Sequence, residues 1–182
     1  MAGTFTFVYT DPYGATDLSV VEMIVQTQQS YCIVEAYPNQ GTLSLLNGAN
    51  NGATLGIAGT TLQSSQCTVN AGASSGVISG NTYTLILSLT FTSSLAGTNR
   101  VIGYAVSNDG ANSGFQTLGG WNVYPRCNVT ADATASVSDV QRIVNEALGA
   151  MPGVDDLNQD GLVNIADVQI VLNATLGKGC SL

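Results

Sequence analysis

Residues 156 to 167 read Asp156-Leu-Asn158-Gln-Asp160-Gly161-Leu162-Val163-Asn164-Ile-Ala-Asp167. Oxygen-bearing side chains fall at loop positions 1, 3, 5, 9 and 12, and Gly falls at position 6. A hard dication such as Ca²⁺ takes about six to eight oxygen ligands at about 2.3–2.6 Å. A loop of this length can wrap one if it turns sharply in the middle, and Gly161 permits that turn. The pattern therefore predicts a calcium site. The side chains of Asp156, Asn158 and Asp160 are expected to point at the ion, joined by the carbonyl of Leu162. Asn164 acts directly or through water, and Asp167 closes the cage while starting the next helix. EF-hand-like loops usually end in Glu; this one ends in Asp, one methylene shorter.

A shift of 28 residues lays Asp139-Val140-Gln141 over Asp167-Val168-Gln169, and Asn145, Leu148 and Gly149 over Asn173, Leu176 and Gly177. Such a repeat indicates a duplicated structural unit. The upstream loop runs Asn128-Val-Thr130-Ala-Asp132-Ala133-Thr134-Ala-Ser136-Val-Ser-Asp139. Asn128, Thr130, Asp132, Thr134, Ser136 and Asp139 keep oxygens at the ligand positions. Two carboxylates stand where the second loop has three, and Ala133 replaces the glycine. Affinity follows ligand charge and loop geometry. The first loop is expected to be a weaker calcium site, the alternative being a degenerate structural turn.

Each loop leads into an apolar periodic segment. Val140, Ile143, Val144, Ala147 and Leu148 form one stripe; Val168, Val171, Leu172 and Leu176 form the other. Both have helical spacing, and Gly149 and Gly177 stand where C-terminal caps belong. Two loop–helix units of this kind can pack face to face.

Two calcium loops, each followed by one helix and ending in Asp, resemble a type I dockerin module, over about residues 127–180. The DxNxDGxVNxxD string of the second loop carries the resemblance most specifically. It implies that calcium folds the module and that the module docks onto cohesin domains, through loop positions 10 and 11 and along the helices. Here those loop positions carry Val137 and Ser138, then Ile165 and Ala166, which are small or apolar.

The 182 residues suffice for one large or two small domains. Twelve acids against four bases give a net charge of −8, and seven of the acids lie after residue 126. No basic patch is present to neutralise phosphates, which argues against nucleic acid as a partner. Charged residues make up only 9% of the chain, and Gly, Ser, Thr and Asn take their place, as in many secreted bacterial β-proteins. No apolar run is long enough for a membrane span. Met1-Ala-Gly leads directly into a strand pattern, so the expectation is a processed or recombinant mature form.

Four cysteines make an even set. Cys127 precedes the first loop and Cys180 follows the second helix; a bridge between them would clamp both ends of the module. They lie 53 residues apart, and closing that loop is worth about 4 kcal/mol in the chain-entropy model. Cys32 and Cys67 would form the other pair. Four buried free thiols are the alternative; a Cys₄ zinc site lacks any CxxC spacing. Disulfides imply an oxidising, extracellular or cell-surface location.

The remaining chain reads as strands. Residues 4–9 alternate with Phe5, Phe7 and Tyr9 on one face. Residues 18–26 form a second apolar segment, readable as strand or helix, with strand favoured by Val20, Val21, Ile24 and Val25. Residues 31–37 and 42–46 follow, then the turn-rich Asn47–Gly52, then a strand near Gln66–Val69. In 82–92, Tyr83, Leu85, Leu87, Leu89 and Phe91 face one way and Thr82, Thr84, Ile86, Ser88, Thr90 and Thr92 the other. Residues 100–107 and 121–124 complete the set. Seven or eight short strands with Gly/Asn/Ser turns argue an antiparallel β-sandwich of immunoglobulin-like type. The expected fold is therefore mainly β with a small α module: a sandwich over 1–125 and a dockerin-like pair of calcium loop–helix units over 126–182. The short junction Val123-Tyr124-Pro125-Arg126-Cys127 predicts that the two parts pack as one rigid unit.

The chain has no His, which removes the commonest general base. Outside the calcium module, Glu22, Glu35, Asp11, Asp17 and Asp109 could supply a glycosidase pair, but solvent-facing strand carboxylates and turn aspartates explain them without catalysis. Trp121, Tyr13, Tyr37 and Tyr104 could present a sugar-binding surface, although a Trp on a terminal strand more often packs in a core or interface. Asn128-Val-Thr and Asn173-Ala-Thr match the glycosylation sequon; Asn128 is better used as a ligand. The leading expectation is a secreted, non-catalytic, calcium-binding structural or interaction protein. Its partner would be a cohesin-like domain or further copies of itself in a filament or surface assembly. The alternative is a carbohydrate-binding accessory module recruited to polysaccharide-degrading complexes.

Overall fold

The computed structural model of the chain describes residues 2–46, 52–123, 126–132, 134–158 and 160–180. The turn at 47–51, residues 124 and 125 of the junction, and Ala133 of the first loop lie outside the described residues. The chain divides into two compact units, Met1–Val123 and Tyr124–Leu182.

Alternation builds the first unit. β1 (Ala2–Thr10), β2 (Leu18–Gln26), β3 (Tyr31–Tyr37) and β4 (Thr42–Leu45) are followed by the short β5 (Ala53–Thr54) and β6 (Thr61–Gln63). Then come β7 (Cys67–Ser79), β8 (Thr82–Phe91), β9 (Gly97–Ser107) and β10 (Gln116–Val123). They form two antiparallel sheets, one ordered β1-β8-β7-β6 and one β10-β9-β2-β3-β4-β5. In β8 the residues Tyr83, Leu85, Leu87, Leu89 and Phe91 are all buried. β1 lies beside it, with Phe7 opposite Leu85 and Tyr9 opposite Tyr83. From the other sheet Val21, Met23, Val25, Val34, Leu43 and Leu45 enter the same core. The Cys32–Cys67 disulfide joins β3 to β7 within this core, so the sheets are covalently tied.

Residues 18–26 are a strand, as the β-branched residues favoured: Val21, Met23 and Val25 are buried in the shared core while Glu22 and Gln26 point away from it. The structure contains ten strands among the described residues, not seven or eight. β7 extends ten residues beyond Val69 through a Gly/Ser-rich segment that composition alone marks as turn. It folds back onto β8 through the tight turn at Gly80-Asn81, with Ser79 opposite Thr82 and Ser75 opposite Ile86. Its register against β8 shifts between Asn70 and Ser75, and buried Ser74 spans the irregularity. The Ser74 hydroxyl donates to the Asn70 carbonyl at 2.7 Å and accepts the Ser88 N–H at 3.0 Å. At Gly72 an added Cβ would stand 2.7 Å from the Ile57 carbonyl oxygen, so the glycine is required by close approach.

The second unit holds α1 (Val137–Ala147) and α2 (Ile165–Thr175). Ile143, Ile170, Val171 and Cys127 form its core, with Val140, Val163 and Val168 packed against them. Both helices end in the predicted glycine caps: Gly149 and Gly177 have φ of 73° and 72°. Gly149 N–H reaches the Glu146 carbonyl and Ala150 N–H reaches Asn145, the paired bonds of a Schellman cap; Gly177 and Lys178 repeat this on Ala174 and Asn173. The buried stripes are narrower than the spacing predicts, and Leu172 within α2 is exposed. Leu148 and Leu176 are 77% and 62% exposed, because each occupies a C-cap, where the chain already leaves the helix–helix contact. The Cys127–Cys180 disulfide clamps the unit, with Cα atoms 5.8 Å apart. No helix among the described residues is long and apolar enough to cross a membrane.

Candidate metal centre

The second loop closes on its own first residue. Asp156 Oδ1 accepts the backbone N–H of Asp160 at 3.2 Å, and Asp156 Oδ2 accepts that of Gly161 at 2.8 Å. Gly161 has φ +93°, the left-handed turn that its position required. Asp160 Oδ2 receives the side-chain amides of Asn158 at 2.9 Å and Asn164 at 3.2 Å. The Asn158 amide, followed by the Leu162 N–H, holds the Asp160 carboxyl below the usual carboxylate range. Asp160 is thus an exposed, ionised group at neutral pH. Asn164 is the N-cap of α2, its Oδ1 accepting the Ala166 N–H at 2.8 Å.

Asp167 is fully buried. Its Oδ1 accepts from the N–H groups of Leu157 and Asn158, and its Oδ2 from that of Asn164, the reciprocal half of a capping box. Position 12 therefore stitches both ends of the loop to the start of α2.

The first loop repeats this plan with different chemistry. Asp139 is also buried and also completes a capping box, with Ser136. Its Oδ1 accepts from the N–H and the hydroxyl of Thr130, and its Oδ2 from the N–H and the hydroxyl of Ser136. Burial works to raise the Asp139 pKa, and these four donors outweigh it, leaving the group below its ordinary value. Asn128 Oδ1 accepts the Asp132 N–H at 3.2 Å, while Asn128 Nδ2 is buried with no hydrogen-bond partner among the described residues. Thr134 is exposed.

Among the described residues no three acidic side chains converge as a metal-holding group. In this arrangement Asp167 is occupied by backbone N–H groups and Asn164 by its helix. Asp156, Asp160 and the Asn158 amide oxygen likewise accept N–H groups; together with the Leu162 carbonyl they form an all-oxygen set whose chemistry suits a hard cation. The first loop fits less well: two of its hydroxyls already donate into Asp139, and Asn128 buries a donor rather than a second acceptor.

The other sequence candidates lie in the β unit. Glu22 and Glu35 stand opposite each other across β2 and β3, and the Tyr37 hydroxyl donates to Glu35 Oε2 at 2.8 Å. Burial, then the neighbouring Glu35, raises the Glu22 pKa. Asp11, Asp17 and Asp109 line a shallow cavity of about 250 Å³ together with Tyr13. Asp11 accepts the Tyr13 N–H, and Asp109 accepts the Ala111 N–H, as expected of turn aspartates. Trp121 is half-buried and packs edge-on against Phe5 at 4.7 Å, so it does not form a free aromatic platform. Tyr104 stacks on exposed Phe115 at 4.8 Å, a pair the sequence did not suggest.

Sequence reasoning also missed Arg142, Glu146 and Asp155. Arg142 Nε lies 3.1 Å from Glu146 Oε1 and 3.0 Å from Asp155 Oδ2. The signal was present as a break in the repeat, since the positions 28 residues on are Ile170 and Ala174. Searched against protein-family models, curated proteins and solved structures, the chain matches none.

Proposed function

We propose that the second unit is a dockerin-like calcium module that stiffens when the loop 156–167 binds Ca²⁺, and that the chain is a secreted, non-catalytic structural or interaction protein. The observation that carries this reading is the closure of the loop on Asp156 with Gly161 at its turn, in a short segment whose sequence also carries Asn158, Asp160 and the Leu162 carbonyl. Asp156, Asn158, Asp160 and Leu162 would hold the ion, Asn164 would reach it through water, and Asp167 would join where its buried oxygens have a lone pair to spare. Bound calcium would supply charge neutralisation for the acidic loop. The first loop, Asn128 to Asp139, is a weaker site on the same plan.

The two disulfides are compatible with an extracellular protein. The partner reading draws on Val137 and Ile165, equivalent positions of the repeat, which are 82% and 78% exposed. Leu172 and Leu176 continue the exposed line along α2. Such apolar residues suit a protein partner, either a cohesin-like domain or another copy. The two-sheet unit, read as immunoglobulin-like, would serve as scaffold.

Calorimetric titration of the purified protein with calcium tests the reading. One tight site is expected, lost in Asp156→Asn/Asp160→Asn, with a melting temperature that drops in chelator. At free calcium of about 100 times Kd the linkage is about 2.7 kcal/mol. A melt indifferent to chelator removes the proposal.

A further inference from the structure

We infer that Glu146 is a positioning residue for the second loop: from α1 it fixes the backbone immediately before Asp156 and so sets the loop up for its cation. The inference rests on the calcium reading above. Glu146 is only 4% exposed. Its Oε2 accepts the N–H groups of Val154 at 2.9 Å and Asp155 at 3.0 Å, the two residues that precede loop position 1. Its Oε1 accepts from Arg142 Nε, and the same Nε reaches Asp155 Oδ2. A carboxylate taken out of water costs several kcal/mol unless its lone pairs are met, and here three donors meet them.

The repeat makes the arrangement informative. Twenty-eight residues later α2 carries Ile170 and Ala174, which serve the core as apolar groups. Only α1 replaces that pair by an ion pair, and it does so where the chain enters the loop with the better ligand set. The entry to the first loop is held differently, by the Cys127–Cys180 bridge. Arg126 adds a second tie between the loops, its Nη2 donating to the Leu157 carbonyl at 2.6 Å. Glu146 touches no proposed ligand; it acts through the two N–H groups it holds. Ligands whose supporting shell is removed commonly lose about 10–100-fold in metal affinity.

The test is calcium titration of the full chain carrying Glu146→Ala, Glu146→Asp, Glu146→Gln or Ile143→Ala, with melting temperatures taken in parallel. Glu146→Ala should weaken calcium binding by about tenfold. Glu146→Asp, which keeps the charge but withdraws the acceptor by a methylene, should weaken it several-fold and serves if the Ala variant does not fold. Glu146→Gln retains an oxygen for both N–H groups and should stay near wild type. Ile143→Ala should lower the melting temperature through the core yet leave the affinity of the folded protein unchanged. Equal affinity loss in Ile143→Ala and Glu146→Ala, or wild-type affinity in both the Ala and Asp variants, overturns the inference while leaving the calcium site standing. A wild-type protein that takes up no calcium overturns both.

Discussion

Asp167 Oδ1 lies 2.8 Å from the backbone nitrogen of Leu157, so the twelfth residue of the second loop holds the second. Asp139 holds Thr130 of the first loop at the same 2.8 Å. In both loops the closing carboxylate organises backbone first and is available to a ligand second. Replacing Asp167 by Ala leaves three N–H groups without their acceptor and removes half a capping box. Loss of a cap alone costs about 1 kcal/mol, and stranding a buried donor about 1–3 kcal/mol more. Asp167→Ala should therefore lower the melting temperature even in chelator. Hydrogen exchange at Leu157, Asn158 and Asn164 checks the cause, since those amides should lose protection first.

The Cys127–Cys180 bridge spans 53 residues and the Cys32–Cys67 bridge 35. Replacing Cys127 and Cys180 by Ser should destabilise the second unit by about 4 kcal/mol through the unfolded chain. A core of four buried apolar residues among the described ones has little margin for such a loss. Circular dichroism of the double variant should show helix melting ahead of the sheet signal, and excess calcium should restore part of it.

Glu22 faces Glu35 directly across two strands, and its pKa is raised by burial and then by that neighbour. A carboxyl raised on folding contributes nothing to stability where both states are protonated, and its full cost appears once pH exceeds the folded value. Glu22→Gln should accordingly raise the melting temperature near neutral pH and lose that advantage as pH falls toward the unfolded value of about 4.3. Like charges directly opposite are destabilising, and solvent screening of this partly exposed pair keeps the gain small. Denaturation at the two pH values measures it.

Gly72 lies where a Cβ would meet the Ile57 carbonyl oxygen at 2.7 Å and Ala58 Cα at 2.9 Å. Both obstacles are backbone and cannot rotate aside. Gly72→Ala should cost about 1–3 kcal/mol, more than Gly80→Ala at the β7–β8 turn, where the space is open and only the positive φ of 57° opposes the change. Urea unfolding of the two variants ranks them.

The strands that were legible were those whose alternation was complete. β8 and β1 showed their inner faces in the residue order because one side is apolar and the other Thr-rich. β5 and β6 are two and three residues long, too short to show an alternation, and the Gly, Ala and Ser residues in the far half of β7 blur its faces even though it pairs with β8 through a short turn. The loop residues were legible because ligand chemistry fixes type and spacing together. What the pattern did not disclose was how each loop satisfies itself: that Thr130 and Ser136 turn their hydroxyls into Asp139, and that Asn164 spends its oxygen on the helix. Those choices depend on which oxygen ends up buried, which is settled only when α1 and α2 meet. Glu146 escaped for the same reason, its acceptors becoming useful only once the chain returns at Val154.

With Cα atoms of Cys127 and Cys180 standing 5.8 Å apart, the second unit hangs from the polypeptide as a closed ring. A pull applied to the backbone outside the two cysteines enters at one sulfur and leaves at the other, bypassing the helices and loops enclosed between them. The loops are thereby shielded from force carried by the flanking backbone for as long as the bond stays oxidised.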